Sequence, residues 1–186
     1  MPNSWFSQPV FIPGGNPETM NEASLLKEGQ LGVRFSVINP PRTAASAGSE
    51  DGTPKAFQLV RSDSSMSVAP YDGAVAWFSN QLTYLVTTSP TALGRGRVAG
   101  IFKYAVTPGN YCCVQQKGLG TVKFVDAPTA TPDATGLIVV PSATAGKADC
   151  LAAGSAATYP RIGRSAGTYN APNATCIVDL DIPEVL

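Results

Sequence analysis

The chain of 186 residues contains 18 Gly and 16 Pro, 13 basic and 13 acidic side chains, and no histidine. A formal charge of zero and a pI near 6.2 argue against nucleic-acid binding through a strong basic field. The missing histidine excludes a Ser-His-Asp triad, a Cys-His pair and a His-bearing zinc site. With 44% hydrophobic and only 14% charged residues the chain can fold, and its profile suits a structural part better than a catalyst. No cofactor is implied.

Residues 1–15 read as an arm. Trp5, Phe6, Val10, Phe11 and Ile12 are apolar, while Pro2, Pro9 and Pro13 interrupt regular structure. Such an arm must bury its aromatics on its own body or on a neighbour. The start lacks the basic and apolar regions of a signal peptide. No apolar run approaches the ~18 residues of a membrane helix. Residues 17–28 are the one segment with helix signals. Asn16 suits the cap, Pro17 the first helical position and Gly29 the stop, with Met20, Ala23 and Leu26 on one face. The arm and this short helix make up residues 1–30, and a β-domain takes 31–186.

Leu31, Val33, Phe35 and Val37 alternate, which predicts a strand with one buried face. Residues 39–54 then form a long loop rich in Pro, Ala, Ser and Gly, read as a surface excursion. Short apolar runs follow at residues 56–60, 74–78, 82–87, 98–106, 111–116, 122–126, 137–140, 148–152 and 175–182, all read as strands. Turns are expected at Asp72-Gly73, Pro108-Gly109-Asn110, Lys117-Gly118, Ala145-Gly146 and Asn170-Ala171-Pro172-Asn173. The fold class expected is all-β: a sandwich or small barrel of short antiparallel strands, with an extended N-terminal arm and at most one short helix.

A shift of 64 positions lays Pro108 on Pro172, Cys112 on Cys176 and Val114 on Val178. The echo suggests a register. Cys176, Val178, Leu180 and Ile182 face a core, Cys112, Val114 and Gln116 an equivalent one, and Tyr111, Cys113 and Gln115 the opposite side. The four cysteines lack metal-knuckle spacing and read as reduced, buried small hydrophobes. If the echoed hairpins lie side by side, Arg95, Arg97, Arg161 and Arg164 cluster into a docking surface for carboxylates. Separate, solvated arginines are the other reading.

Three motifs read as decoys. Gly94-Arg95-Gly96-Arg97-Val98-Ala99 fits a dinucleotide fingerprint, but a β-like segment follows where a helix is required. Ser24-Leu25-Leu26-Lys27 fits S-x-x-K without the companion motifs that would make the serine a nucleophile. Asp179 and Asp181 share a strand face with Glu184 nearby, which reads as a charged guard on an edge strand.

From Gly94 onward the order of segments carries a resemblance. Val98-Ala99-Gly100-Ile101-Phe102 is followed by Pro108-Gly109-Asn110-Tyr111 and Val114-Gln115-Gln116-Lys117-Gly118. Leu137-Ile138-Val139-Val140-Pro141-Ser142, Ala152-Ala153-Gly154, Arg161-Ile162-Gly163 and Val178-Asp179-Leu180 complete it. This half of the chain resembles the capsid decoration, or cement, and head-surface proteins of tailed bacteriophages. The resemblance implies a non-enzymatic β-protein of the virion, made in the host cytoplasm. It would bind the major capsid protein on the capsid surface, often as a homotrimer at local three-fold positions. It implies no nucleic-acid or membrane partner. Trp5, Phe6, Phe11 and Ile12 are then the expected anchors, since buried aromatics dominate interface energies. The alternative is a receptor- or glycan-binding head-fibre or tail module, with Trp77, Tyr84, Tyr104, Tyr111 and Tyr169 as candidate groove aromatics.

Overall fold

The computed structural model describes residues 20–23, 31–38, 54–90, 97–133, 136–155 and 159–183. The anchors Trp5, Phe6, Phe11 and Ile12, together with Arg95, Ser24, Lys27, Glu184 and most of the 39–54 loop, lie outside them.

Ten strands form one sheet: β1 (Arg34–Ile38), β2 (Pro54–Ser62), β3 (Val75–Asn80), β4 (Leu85–Thr87), β5 (Val98–Phe102), β6 (Tyr111–Lys123), β7 (Ile138–Pro141), β8 (Ala148–Cys150), β9 (Gly163–Ser165) and β10 (Thr175–Asp181). Their order is β1-β2-β4-β3-β5-β6-β10-β9-β7-β8, and β2 also pairs with β6. That extra pairing closes β2, β4, β3, β5 and β6 into a five-stranded barrel. All its pairings are antiparallel except β2–β4, which is parallel with Arg61 opposite Leu85. The all-β expectation holds, in its barrel form.

Alternation along the barrel strands sends side chains to three apolar compartments. Val60, Ala74, Ala76, Phe78, Val86, Ala99, Phe102, Cys112 and Val114 fill the interior. Outside the β2–β6 wall, Phe57, Leu59, Tyr111 and Cys113 pack with Met20 and with Leu31, Phe35 and Val37 around β1. The Phe35 and Phe57 rings stack there, with centroids 5.9 Å apart. Outside the β3–β5 wall, Val75, Trp77, Val98 and Ile101 pack against Val122, Phe124, Val139, Ile162 and the inner face of β10. Two faces of the barrel wall are thus covered, and each buried large side chain contributes roughly 1.5–3 kcal/mol.

The register inferred from the echo holds for β10, where Cys176, Val178, Leu180 and Ile182 are buried and Asp179 and Asp181 exposed. Cys112 and Val114 do share a face, opposite Tyr111 and Cys113, but they line the barrel interior, whereas the β10 residues belong to the second core. All four cysteines are buried and free.

Three local expectations are corrected. Lys117-Gly118 is no hairpin turn, because residues 111–123 run as one strand. A bulge opposite Ala56 and Phe57 and a left-handed Gly118, φ 86°, mark where β6 passes from its pairing with β2 to its pairing with β10. β10 is no edge strand, because it lies between β6 and β9. Its carboxylates therefore do not guard an edge. Residues 20–23, the described part of the expected helix, run non-helical, and Glu22 bridges to Tyr111. The remaining turns form as expected. At the last, Ala171–Asn173 make a short 3-10 turn capped by the Asn170 side chain, which accepts from the Asn173 N–H.

Candidate interaction surface

The described arginines are dispersed. Arg97 precedes β5, whereas Arg161 precedes β9 and Arg164 lies on it, and β6 and β10 stand between β5 and β9. Arg161 Nη2 is 3.2 Å from Asp181 Oδ2, and Arg164 Nη1 donates to the Gly136 carbonyl at 2.8 Å. Asp181, one of the paired carboxylates, is thereby occupied by an arginine. The glycine-rich 94–99 motif runs into strand β5 at Val98, not into a helix N-terminus that could receive a pyrophosphate.

Burial raises the pKa of all four cysteine thiols. Burial pushes the Cys113 thiol up to about 12 and the Cys150 thiol up to about 11. Burial likewise holds Cys112 well above its ordinary range. The thiolate is the attacking form, so a raised pKa lowers thiol reactivity. Among the described residues no group of three or more His, Cys, Asp or Glu is placed to hold a metal. No helix among them is long and apolar enough to cross a membrane.

An open cleft of about 350 Å³ lies beside β7 and β8, lined by Thr129, Val140, Pro141, Asp149, Leu151 and Tyr159. Its one carboxylate is already engaged. Asp149 Oδ1 accepts from the Thr129 and Cys150 N–H groups, and Oδ2 accepts from the Thr129 hydroxyl, all at 2.7 Å. Asp149 builds the cleft wall.

The most distinctive surface feature is the tip between β3 and β4. Leu82 is 93% exposed, against 46% for Tyr104 and 36% for Val68. Asn80 Oδ1 accepts from the N–H groups of Leu82, at 3.0 Å, and Thr83, at 3.3 Å, a side-chain turn that fixes the loop. Tyr84 adopts φ 50°. Its ring meets Phe78 edge-on with centroids 6.5 Å apart. On its other side the ring fills the space that a Cβ on Gly32 would need. An exposed leucine thus projects from a braced base. The sequence reading began a strand at Leu82; the missed signal was Asn80, whose side chain starts the turn.

Of the five aromatics considered for a glycan groove, only Tyr104 is exposed. Trp77 and Tyr111 are buried, and Tyr84 and Tyr169 are half-buried against Phe78 and Phe124.

A second feature is the clasp at residues 20–23. Glu22 and Tyr111 exchange backbone hydrogen bonds of 3.0 and 2.8 Å. Asn21 Oδ1 accepts from the Thr107 N–H at 3.0 Å and from Asn110 Nδ2 at 2.8 Å. Met20 is buried, its Sδ 3.7 Å from Cys113 Sγ.

No family profile matches the chain, and no curated protein matches it in sequence. Among solved structures, it is similar to a chain of "The capsid of Myoviridae Phage XM1", with 16% identity and a TM-score of 0.38. The match covers 87% of this chain and 97% of that one. Values this low fall short of establishing a shared fold.

Proposed function

We propose that the chain is a structural protein of a phage virion that binds the outside of the capsid and bridges major capsid subunits. The resemblance of residues 94–186 to decoration proteins supports the class. The observation that carries the mode of action is the braced, 93% exposed Leu82 on a barrel whose interior is filled by its own side chains. A filled barrel leaves its outer surface as the place for recognition, and a pre-ordered apolar tip binds with little loss of conformational freedom. Stabilisation follows by mass action: a protein that binds only the assembled shell shifts the equilibrium away from rupture. Repetition over symmetry-related sites multiplies a modest affinity. Trp5, Phe6, Phe11 and Ile12 would add anchors, and Arg95, Arg97, Arg161 and Arg164 separate polar contacts. A trimer at local three-fold positions is the arrangement that the resemblance favours.

The test is to add the purified protein to undecorated phage shells and image them. Regular added density on the outer surface and a raised rupture temperature are expected. Absence of binding at micromolar protein overturns the proposal. Removal of residues 1–15 then separates the arm from the body: unchanged shell binding would show that the arm is not an anchor. The glycan-binding alternative finds only Tyr104 exposed among its five aromatics, and a glycan array addresses it directly.

A further inference from the structure

The clasp has an unusual division of contacts. Its described hydrogen-bonding partners, Thr107, Asn110 and Tyr111, lie more than 80 residues away in sequence, as does its sulfur contact, Cys113. Three kinds of recognition converge on three residues, Met20, Asn21 and Glu22. Glu22 adds a backbone pairing to the start of β6. Asn21 reads the Thr107–Asn110 turn by accepting twice and by donating from Nδ2 to Thr107 Oγ1 at 3.4 Å. Met20, only 3% exposed, fills an apolar socket with Phe57, Leu59, Tyr111 and Cys113. Main-chain pairing for affinity and side-chain pockets for specificity are the elements of extended-peptide recognition.

We propose that the surface over Tyr111 and Cys113 is a docking site for an extended peptide, occupied in cis by residues 20–23 and open to residues 20–23 of a second copy of this chain. The occupant follows from the contacts. The socket fits a Met-Asn-Glu sequence, and none of the contacts depends on the covalent link between clasp and barrel. That link contributes effective concentration, which for short linkers is on the order of millimolar. Cis occupation therefore prevails in dilute solution. Exchange between copies competes when neighbours are held at comparable local concentration. The inference does not rest on the virion reading, because the clasp could join copies in any setting.

The probe is a fluorescent synthetic peptide of residues 17–24, titrated by anisotropy against the full chain and against Asn21→Ala. This variant keeps Met20 and the fold while removing the three side-chain hydrogen bonds of the resident clasp. Binding to Asn21→Ala at least tenfold tighter than to wild type is expected, because the resident clasp competes. No binding to either protein overturns the docking site. Sedimentation of the wild-type chain across a concentration series up to about 1 mM tests the occupant. Self-association that excess peptide dissolves supports exchange, and a monomer throughout overturns the second-copy occupant even if the peptide binds. Neither result changes with shell binding, so this inference and the proposed function fail separately.

Discussion

At the residue scale, the buried groups define what the molecule gives up to stay folded. Burial raises the thiol of Cys113 from an ordinary 9.0 to about 12. Below pH 9 the folded and unfolded chains both keep this proton, and the thiol contributes no pH dependence. Between pH 9 and 12 the unfolded chain ionises the thiol while the folded chain does not, so stability falls as pH rises. Cys112, shifted in the same direction, adds to the effect. The melting temperature is expected to drop between pH 9 and 11 in scanning fluorimetry. The Cys112→Ala/Cys113→Ala pair should flatten that drop. Gln115 presents a different case. It is fully buried, and its Nε2 lies 3.1, 3.3 and 3.0 Å from the carbonyl oxygens of Lys117, Gly118 and Leu119. The two Nε2 hydrogens are shared among these three carbonyls. Gln115→Met keeps the volume and removes the donor. It should cost about 1–3 kcal/mol in denaturant unfolding, the range for stranding buried polar groups.

At the element scale, β6 sets the architecture, because one strand serves both the barrel and the pairing with β10. The changeover falls at Gly118. A Cβ there would sit 2.3 Å from the Pro54 carbonyl oxygen, and the backbone is already at φ 86°. Gly118→Ala therefore combines a backbone clash with a left-handed conformation that costs roughly 1–2 kcal/mol alone. A total loss of at least about 2 kcal/mol is expected in chemical denaturation. The same glycine explains why β6 was misread from sequence: Lys-Gly between two apolar runs has the composition of a hairpin turn. β9 escaped for the opposite reason, since Gly163-Arg164-Ser165 offers no apolar alternation. It is a strand only because β10 and β7 flank it. Where a strand has one buried face, as at 175–182, alternation was enough to find it. The expected helix had sound caps and a plausible apolar face, but Met20 and Glu22 are claimed by the barrel, which local periodicity cannot register.

At the scale of the whole molecule, neither the barrel closure nor the separate cores were legible in the sequence. The β2–β6 and parallel β2–β4 pairings join segments tens of residues apart, and no local pattern encodes them. Composition did foretell the general character: few charges, abundant small apolar residues and many turns suit a wall buried on both faces. The candidate surface was less legible. The expected anchors lie in residues 1–15, outside the described structure, whereas the exposed Leu82 was read as the first residue of a strand.

Leu82 is also where the proposed function is most exposed to disproof. A leucine 93% exposed adds little to folding, so Leu82→Asp should leave unfolding free energy within about 0.5 kcal/mol of wild type. If the tip docks on a shell, however, binding buries the side chain, worth roughly 1.5–3 kcal/mol, and the aspartate would lose charge hydration as well. Each 1.4 kcal/mol is tenfold in affinity, so shell binding should weaken by about tenfold or more. Multivalent attachment would amplify the loss. Co-sedimentation of wild type and Leu82→Asp with undecorated shells reads this directly. Equal binding would remove the tip from the interface and shift the search to the face around Tyr104. A selective loss of binding with unchanged stability is the outcome that a structural role for Leu82 within the fold would not produce.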